Sequence, residues 1–171
     1  MLDDVPRHVK VLEIAYKLFC KDGLDVLNSR NIRKAGNLST QSVYSSYVSP
    51  NHLKSTVMWR ALKEIKLSLA RKKSDSILDL DIKLVELGKN NPGWFKTLLG
   101  NNLINQLFFS ELTNICLENL NRDIDEYTMK LNLIYLAGAM SLNLNLERAL
   151  RQNEVISVIR NQIAFLGKIM K

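Results

Sequence analysis

Val11, Ile14, Ala15, Leu18 and Phe19 stand at i, i+3, i+4, i+7 and i+8. That spacing makes one apolar stripe on an α-helix and scatters over both faces of a strand. A helical period returns at Leu53, Val57, Ala61, Ile65 and Leu69, and again at Val155, Val158, Ile159, Ile163, Leu166 and Met170. No stretch alternates apolar and polar residues for a useful length, and only 7 glycines and 3 prolines interrupt 171 residues. The expected fold is all-α.

Helices are expected over 6–21, 28–35, 40–47, 49–73, 77–87, 94–99, 103–120, 124–150 and 154–170. Gly23 stops the first. Asn28 or Ser29 caps the second, whose inner face is Ile32 and Ala35. Gly36 and Asn37, the residue types that best tolerate left-handed backbone, make its exit turn. Ser39 caps the third helix, and Ser49 followed by Pro50 opens the fourth, with proline where a missing N–H costs nothing. Val43 and Tyr47 are then placed inward with Leu38, and Thr40, Gln41, Ser42 and Ser45 outward, with Tyr44 at the flank. Two short helices, a tight turn and a polar outer face on the second form a helix-turn-helix layout, in which that face enters the major groove of DNA.

Charge agrees with this. The net charge is +7. Residues 1–73 hold fourteen Lys/Arg against six Asp/Glu, and residues 74–171 ten against eleven. The excess positive charge belongs to the front, which therefore suits an anionic partner. Nucleic acid is the first candidate and an anionic membrane surface the second. A membrane-binding helix would need large apolar residues opposite its basic face; here the apolar stripes are needed for the core.

Other classes find little support. There is no Ser/His/Asp set, no glycine-rich phosphate loop and no metal-ligand spacing, so neither an enzyme nor a metal or cofactor site is expected. The start, MLDDVPRH, is acidic and then polar, unlike a secretory signal. No stretch reaches the ~18 apolar residues of a membrane span; LNLIYLAGAMSLNLNL is broken by Asn132, Asn143 and Asn145. Cys20 and Cys116 read as buried thiols in a reducing compartment. A soluble, cytoplasmic protein is expected.

Over its first third the chain resembles the TetR family of bacterial repressors. The resemblance rests on Leu18-Phe19, Gly23, Ile32, Ala35-Gly36, Leu38-Ser39, Val43-Tyr44, Tyr47 and Leu53, which follow the family's order and spacing without a gap. Two positions depart: Asn37 stands where the family has glycine, and Pro50 where it commonly has a phosphate-contacting lysine.

The resemblance implies a helix-turn-helix domain over 1–52, joined by a long fourth helix to an effector-binding and dimerisation domain over 53–171. It assigns DNA contact to Asn28, Ser29, Arg30, Thr40, Gln41, Ser42, Tyr44 and Ser45, with His52 or Lys54 replacing the missing lysine. Arg30 is suited to guanine O6 and N7, and Gln41 to adenine. The blander reading makes Arg30 a solvated charge, Thr40 and Ser42 local backbone partners, and Tyr47 core. The implied partners are a palindromic double-stranded operator, a second copy of the chain and a small, mainly apolar effector. Trp94, Phe95, Phe108, Phe109, Tyr127 and Tyr135 are candidates to line the effector cavity, or else plain core. Leu131, Ile134, Gly138, Leu142, Val155, Ile159, Ile163 and Leu166 are candidates for the dimer interface. A competing reading is a module of the same fold that answers to a protein partner rather than a small molecule.

Overall fold

The computed structural model describes residues 6–39, 41, 43 and 45–145, with backbone only for 142–145. Its described helices are α1 (Arg7–Asp22), α2 (Ser29–Gly36), α3 (Pro50–Ala70), α4 (Ile77–Lys89), α5 (Pro92–Leu98), α6 (Leu103–Asn119) and α7 (Glu126–Asn145), with a 3-10 turn at Leu24–Val26. The fold is all-α, as expected.

Local chemistry explains the helix ends. Gly23 leaves α1 at φ 90°, where its N–H donates to the Phe19 carbonyl at 2.9 Å. The Asn28 Oδ1 atom accepts from the Asn31 N–H at 2.9 Å and so caps α2. Asn37 closes the same helix in the left-handed conformation, φ 49° and ψ 45°. It thus supplies the backbone shape for which glycine is the usual residue. Ser49 Oγ accepts from the His52 N–H and Ser76 Oγ from the Asp79 N–H, both at 3.1 Å.

One inward assignment is corrected. Ile32 is buried, but Ala35 is exposed. The inner face passes instead from Ile32 to Gly36, one helical turn on, where an added Cβ would lie 2.3 Å from Ile14 Cδ1.

Two regions share one core. The head, α1 through the start of α3, buries Val11, Ala15, Phe19, Leu24, Ile32, Val43 and Leu53. The body packs α4 to α7 around the rest of α3. Phe19 meets Phe108 edge to face, with ring centroids 6.0 Å apart, so apolar packing runs from head to body without a break. The short helix α5 sits between them and packs on both α1 and α7. Gly93 lets it come so close that an added Cβ would lie 1.9 Å from the Phe19 carbonyl oxygen. Thr97 Oγ1 then accepts from the Leu24 N–H at 3.1 Å and donates to the Gly93 carbonyl at 2.8 Å.

The far end of α3 is tied by polar contacts. Asn119 Nδ2 donates to the Leu69 carbonyl at 2.8 Å, and Ser74 Oγ donates to Asn119 Oδ1 at 2.9 Å. Backbone bonds between Ser74 and Asn119–Asn121 complete the tie.

Candidate nucleic-acid interface

Gln41 and Val43 have helical backbone, and the Ser45 N–H donates to the Gln41 carbonyl at 2.9 Å, one helical turn back. Val43 is buried; Gln41 and Ser45 are exposed. The segment therefore shows water a polar side while valine holds it to the core. Tyr47 is half-buried: its hydroxyl donates to the His8 carbonyl at 3.2 Å, and its ring lies edge-on to His52 at 5.8 Å. Burial raises its pKa. Tyr47 is thus a fastener between this segment, α1 and α3. Thr40, Ser42 and Tyr44 lie outside the described residues.

Beside that segment two helix N-termini converge. Asn28 and Ser29 begin α2, Ser49 and Pro50 begin α3, and all four line a cleft of about 90 Å³ with Val43, Tyr47 and Val48 at its sides. Leu27, Ile32 and Leu53 form its apolar lining. Helix N-termini carry partial positive charge from their unpaired N–H groups, and among the described residues no acidic one lines the cleft. Its mouth suits a phosphate. Ser49 and Pro50 were not singled out from sequence as contact residues; their own signal was only that of a helix start. Arg30 and His52 are exposed, and Lys54 is half-buried on the first turns of α3.

The head's carboxylates explain its electrostatics. Among the described residues up to Leu53, Glu13, Asp22 and Asp25 are the only acidic ones. All three face the body. Glu13 pairs with Arg60 of α3, whose guanidinium also pairs with Glu64 and lies 4.1 Å from the centre of the Tyr16 ring. Asp22 is 3.5 Å from Lys96 Nζ. Asp25 Oδ1 accepts from Asn102 Nδ2 at 2.8 Å and from Asn105 Nδ2 at 3.5 Å. Tyr16 donates to Glu64, and its pKa is raised, chiefly by burial and then by that bond. With these three described carboxylates bonded to the body, the head leaves Arg30, Arg33 and Lys34 exposed on α2.

The candidate effector residues differ in burial. Trp94, Phe95 and Phe108 are buried core. Phe95 lies directly over Gly88, where an added Cβ would be 1.9 Å from its ring. Phe109 and Tyr135 are half-buried. Tyr127 is corrected to a surface residue, 70% exposed. The reason is helical phase: α7 turns Met129, Leu133, Leu136 and Met140 inward, and Tyr127 lies opposite them.

That outward side of α7 continues through Leu131 (36% exposed) and Ile134 (47%) to Gly138, where an added Cβ would have nothing within 4 Å among the described residues. Ala137 next to it is buried core. The Leu142 side chain and Val155, Ile159, Ile163 and Leu166 lie outside the described residues. No described helix is long and apolar enough to cross a membrane, and the described residues hold no group of three potential metal ligands.

The sequence matches no protein-family model and no curated protein. Solved structures do resemble it. A TetR-family transcriptional regulator from Streptomyces coelicolor superposes with a TM-score of 0.69 at 14% identity, over 94% of this chain and 80% of its own. A protein of Shewanella sp. PV-4 assigned to the TetR family of transcription regulators gives 0.53 at 13% identity, over 92% of this chain and 96% of its own. At such identities the likeness is one of fold: the chain has the all-α fold of TetR-family regulators.

Proposed function

We propose that the chain is a sequence-specific DNA-binding transcription regulator, acting as a dimeric repressor on a palindromic operator. The observation that carries this reading is the head's division of charge. Its three described carboxylates all bond to the body, while its exposed surface holds Arg30, Gln41, Ser45 and a cleft between two helix N-termini. Lys and Arg near phosphates release counterions, so such a surface binds duplex DNA with steep salt dependence.

In this reading Arg30, Gln41 and Ser45, with Thr40 and Ser42, read base edges. Asn28, Ser29, Ser49, His52, Lys54 and Tyr44 hold phosphates. The Streptomyces coelicolor fold neighbour is a transcriptional regulator and the Shewanella protein is assigned to the same family, which supports the same assignment. One head spans only a few base pairs, so two are needed for a specific site. The apolar outward side of α7, from Tyr127 to Gly138, supports a twofold contact between bodies. Release by an effector would act by population shift, selecting a body conformation that spaces the two heads wrongly for successive grooves.

The test is retardation of the DNA upstream of the chain's own coding sequence, titrated with salt and competed with unrelated duplex. Specific retardation that weakens linearly in log salt is expected. Equal competition by unrelated DNA would reduce the reading to non-specific binding, and no retardation at low salt would remove it.

A further inference from the structure

Asp81 lies on α4 in the middle of the body and is only 1% exposed. Its Oδ1 atom accepts one hydrogen bond, from Asn132 Nδ2 of α7 at 2.7 Å. Its Oδ2 atom is buried with no hydrogen-bond partner. The titratable group that faces it from α6 is the buried thiol of Cys116, whose ionisation is pushed up by burial and then by the Asp81 charge. From α7 it meets only the amide of Asn132, and among the described residues no lysine, arginine or histidine pairs with it. The neighbouring Lys83 is taken by Asp79, Ser74 and the Lys72 and Lys73 carbonyls just past α3.

An ionised carboxylate in this position keeps one amide bond in place of its full hydration, which is strongly unfavourable. A neutral carboxyl keeps the Asn132 bond and carries no charge. Burial accordingly pushes the Asp81 pKa up to about 7, with the Asn132 bond opposing it.

We propose that Asp81 is a proton-operated latch: the α4–α6–α7 packing described here belongs to its protonated form, and ionisation selects conformers of the body in which that carboxylate reaches water. The sign follows from linkage. An unfolded aspartate releases its proton near the ordinary value of about 3.9, whereas the folded one keeps it to about 7. The Asp81 contribution to packing stability is therefore greatest in acid, declines as pH rises between those values and levels off above the upper one. The head is one helix away, because α5 packs on both α7 and α1. The latch is a property of the body alone and stands whether or not the head binds DNA.

The experiment is carbon-13 NMR of the Asp81 carboxyl in the full chain from pH 4 to 9, together with amide hydrogen exchange across α4 and α7, corrected for intrinsic base catalysis. A carboxyl midpoint between 6 and 8 is expected. Corrected exchange at 77–89 and 126–141 should rise several-fold from pH 6 to 8 in the wild type and stay flat in Asp81→Asn, which retains the acceptor for Asn132 but never ionises. A midpoint below 5 would overturn the proposal, and so would a wild-type exchange profile flat across neutrality. An Asp81→Asn profile that rises as the wild type does would also overturn it. Should that variant fail to fold, the two wild-type measurements decide the matter.

Discussion

The head and the body use polar side chains in opposite ways. Every buried polar residue among those described belongs to the body or to its junction with α3: Ser74, Asp81, Thr97, Asn105, Thr113, Asn119, Thr128 and Asn132. Among the described residues the head's buried side chains are apolar apart from the Tyr16 hydroxyl, and its other polar side chains are exposed or half-buried. A core without polar groups has no requirement to hold particular pairs in register, and it serves here as a rigid block that presents a surface. A core threaded with amides and one carboxyl is held in a specific arrangement by bonds that are costly to leave unmade. The comparison teaches where conformational response belongs: the body has bonds whose making and breaking can distinguish two states, and the head has a surface that needs only to be carried.

The largest expected effect probes whether the two regions are one unit. Phe19→Ala should cost about 3–5 kcal/mol of stability, because its ring packs within the head and against Phe108 of the body. Chemical denaturation followed by far-ultraviolet and tryptophan signals should still show one transition. Two separated transitions would show that the head and body are independent, against the continuous core.

Next comes the polar side of the comparison. Asn119→Ala removes the partner of both the Leu69 carbonyl and the Ser74 hydroxyl. A loss of about 1–3 kcal/mol is expected from the two hydrogen bonds removed, at about 0.5–1.5 kcal/mol each. Unchanged stability in the same denaturation assay would mean that the body's polar contacts are dispensable.

At the head's surface, Arg30→Ala should leave the melting temperature unchanged and cost about 1–3 kcal/mol at a single operator base pair, with discrimination relaxed there. Binding titrations against a set of singly substituted operators measure it. Equal losses on all of them would move Arg30 from base reader to phosphate contact. The smallest effect is expected from Lys54→Ala: weaker binding on every sequence and a salt slope reduced by about one. An unchanged slope would take Lys54 off the phosphate path.

Much of the fold could be read from residues alone, because its signals are local. The stop at Gly23, the caps at Asn28, Ser49 and Ser76, and the left-handed Asn37 depend on neighbours a few residues away. The candidate surface was readable for the same reason: once Val43 faces inward, helical phase turns Gln41 and Ser45 outward. What was not readable depends on partners far along the chain. In the sequence, Asn132 looks like an interruption of an apolar run and Asp81 like an ordinary surface carboxylate. Only the packing of α4 on α7 makes them a buried pair. The same holds for Asn119 with Leu69, and for the three described head carboxylates, whose direction depends on where α3, α5 and α6 lie. Tyr127 was misplaced because an aromatic near other aromatics suggests a common interior, although its phase on α7 puts it outside.

The most direct test of the central claim, that the outer side of the head is the DNA-reading surface, is amide hydrogen exchange with and without saturating duplex selected from a random pool. Protection at 28–34, 41–46 and 49–54, with none at the start of α5 or along α6, is the predicted result. Protection confined to the body, with those head segments exchanging as in the protein alone, would contradict it.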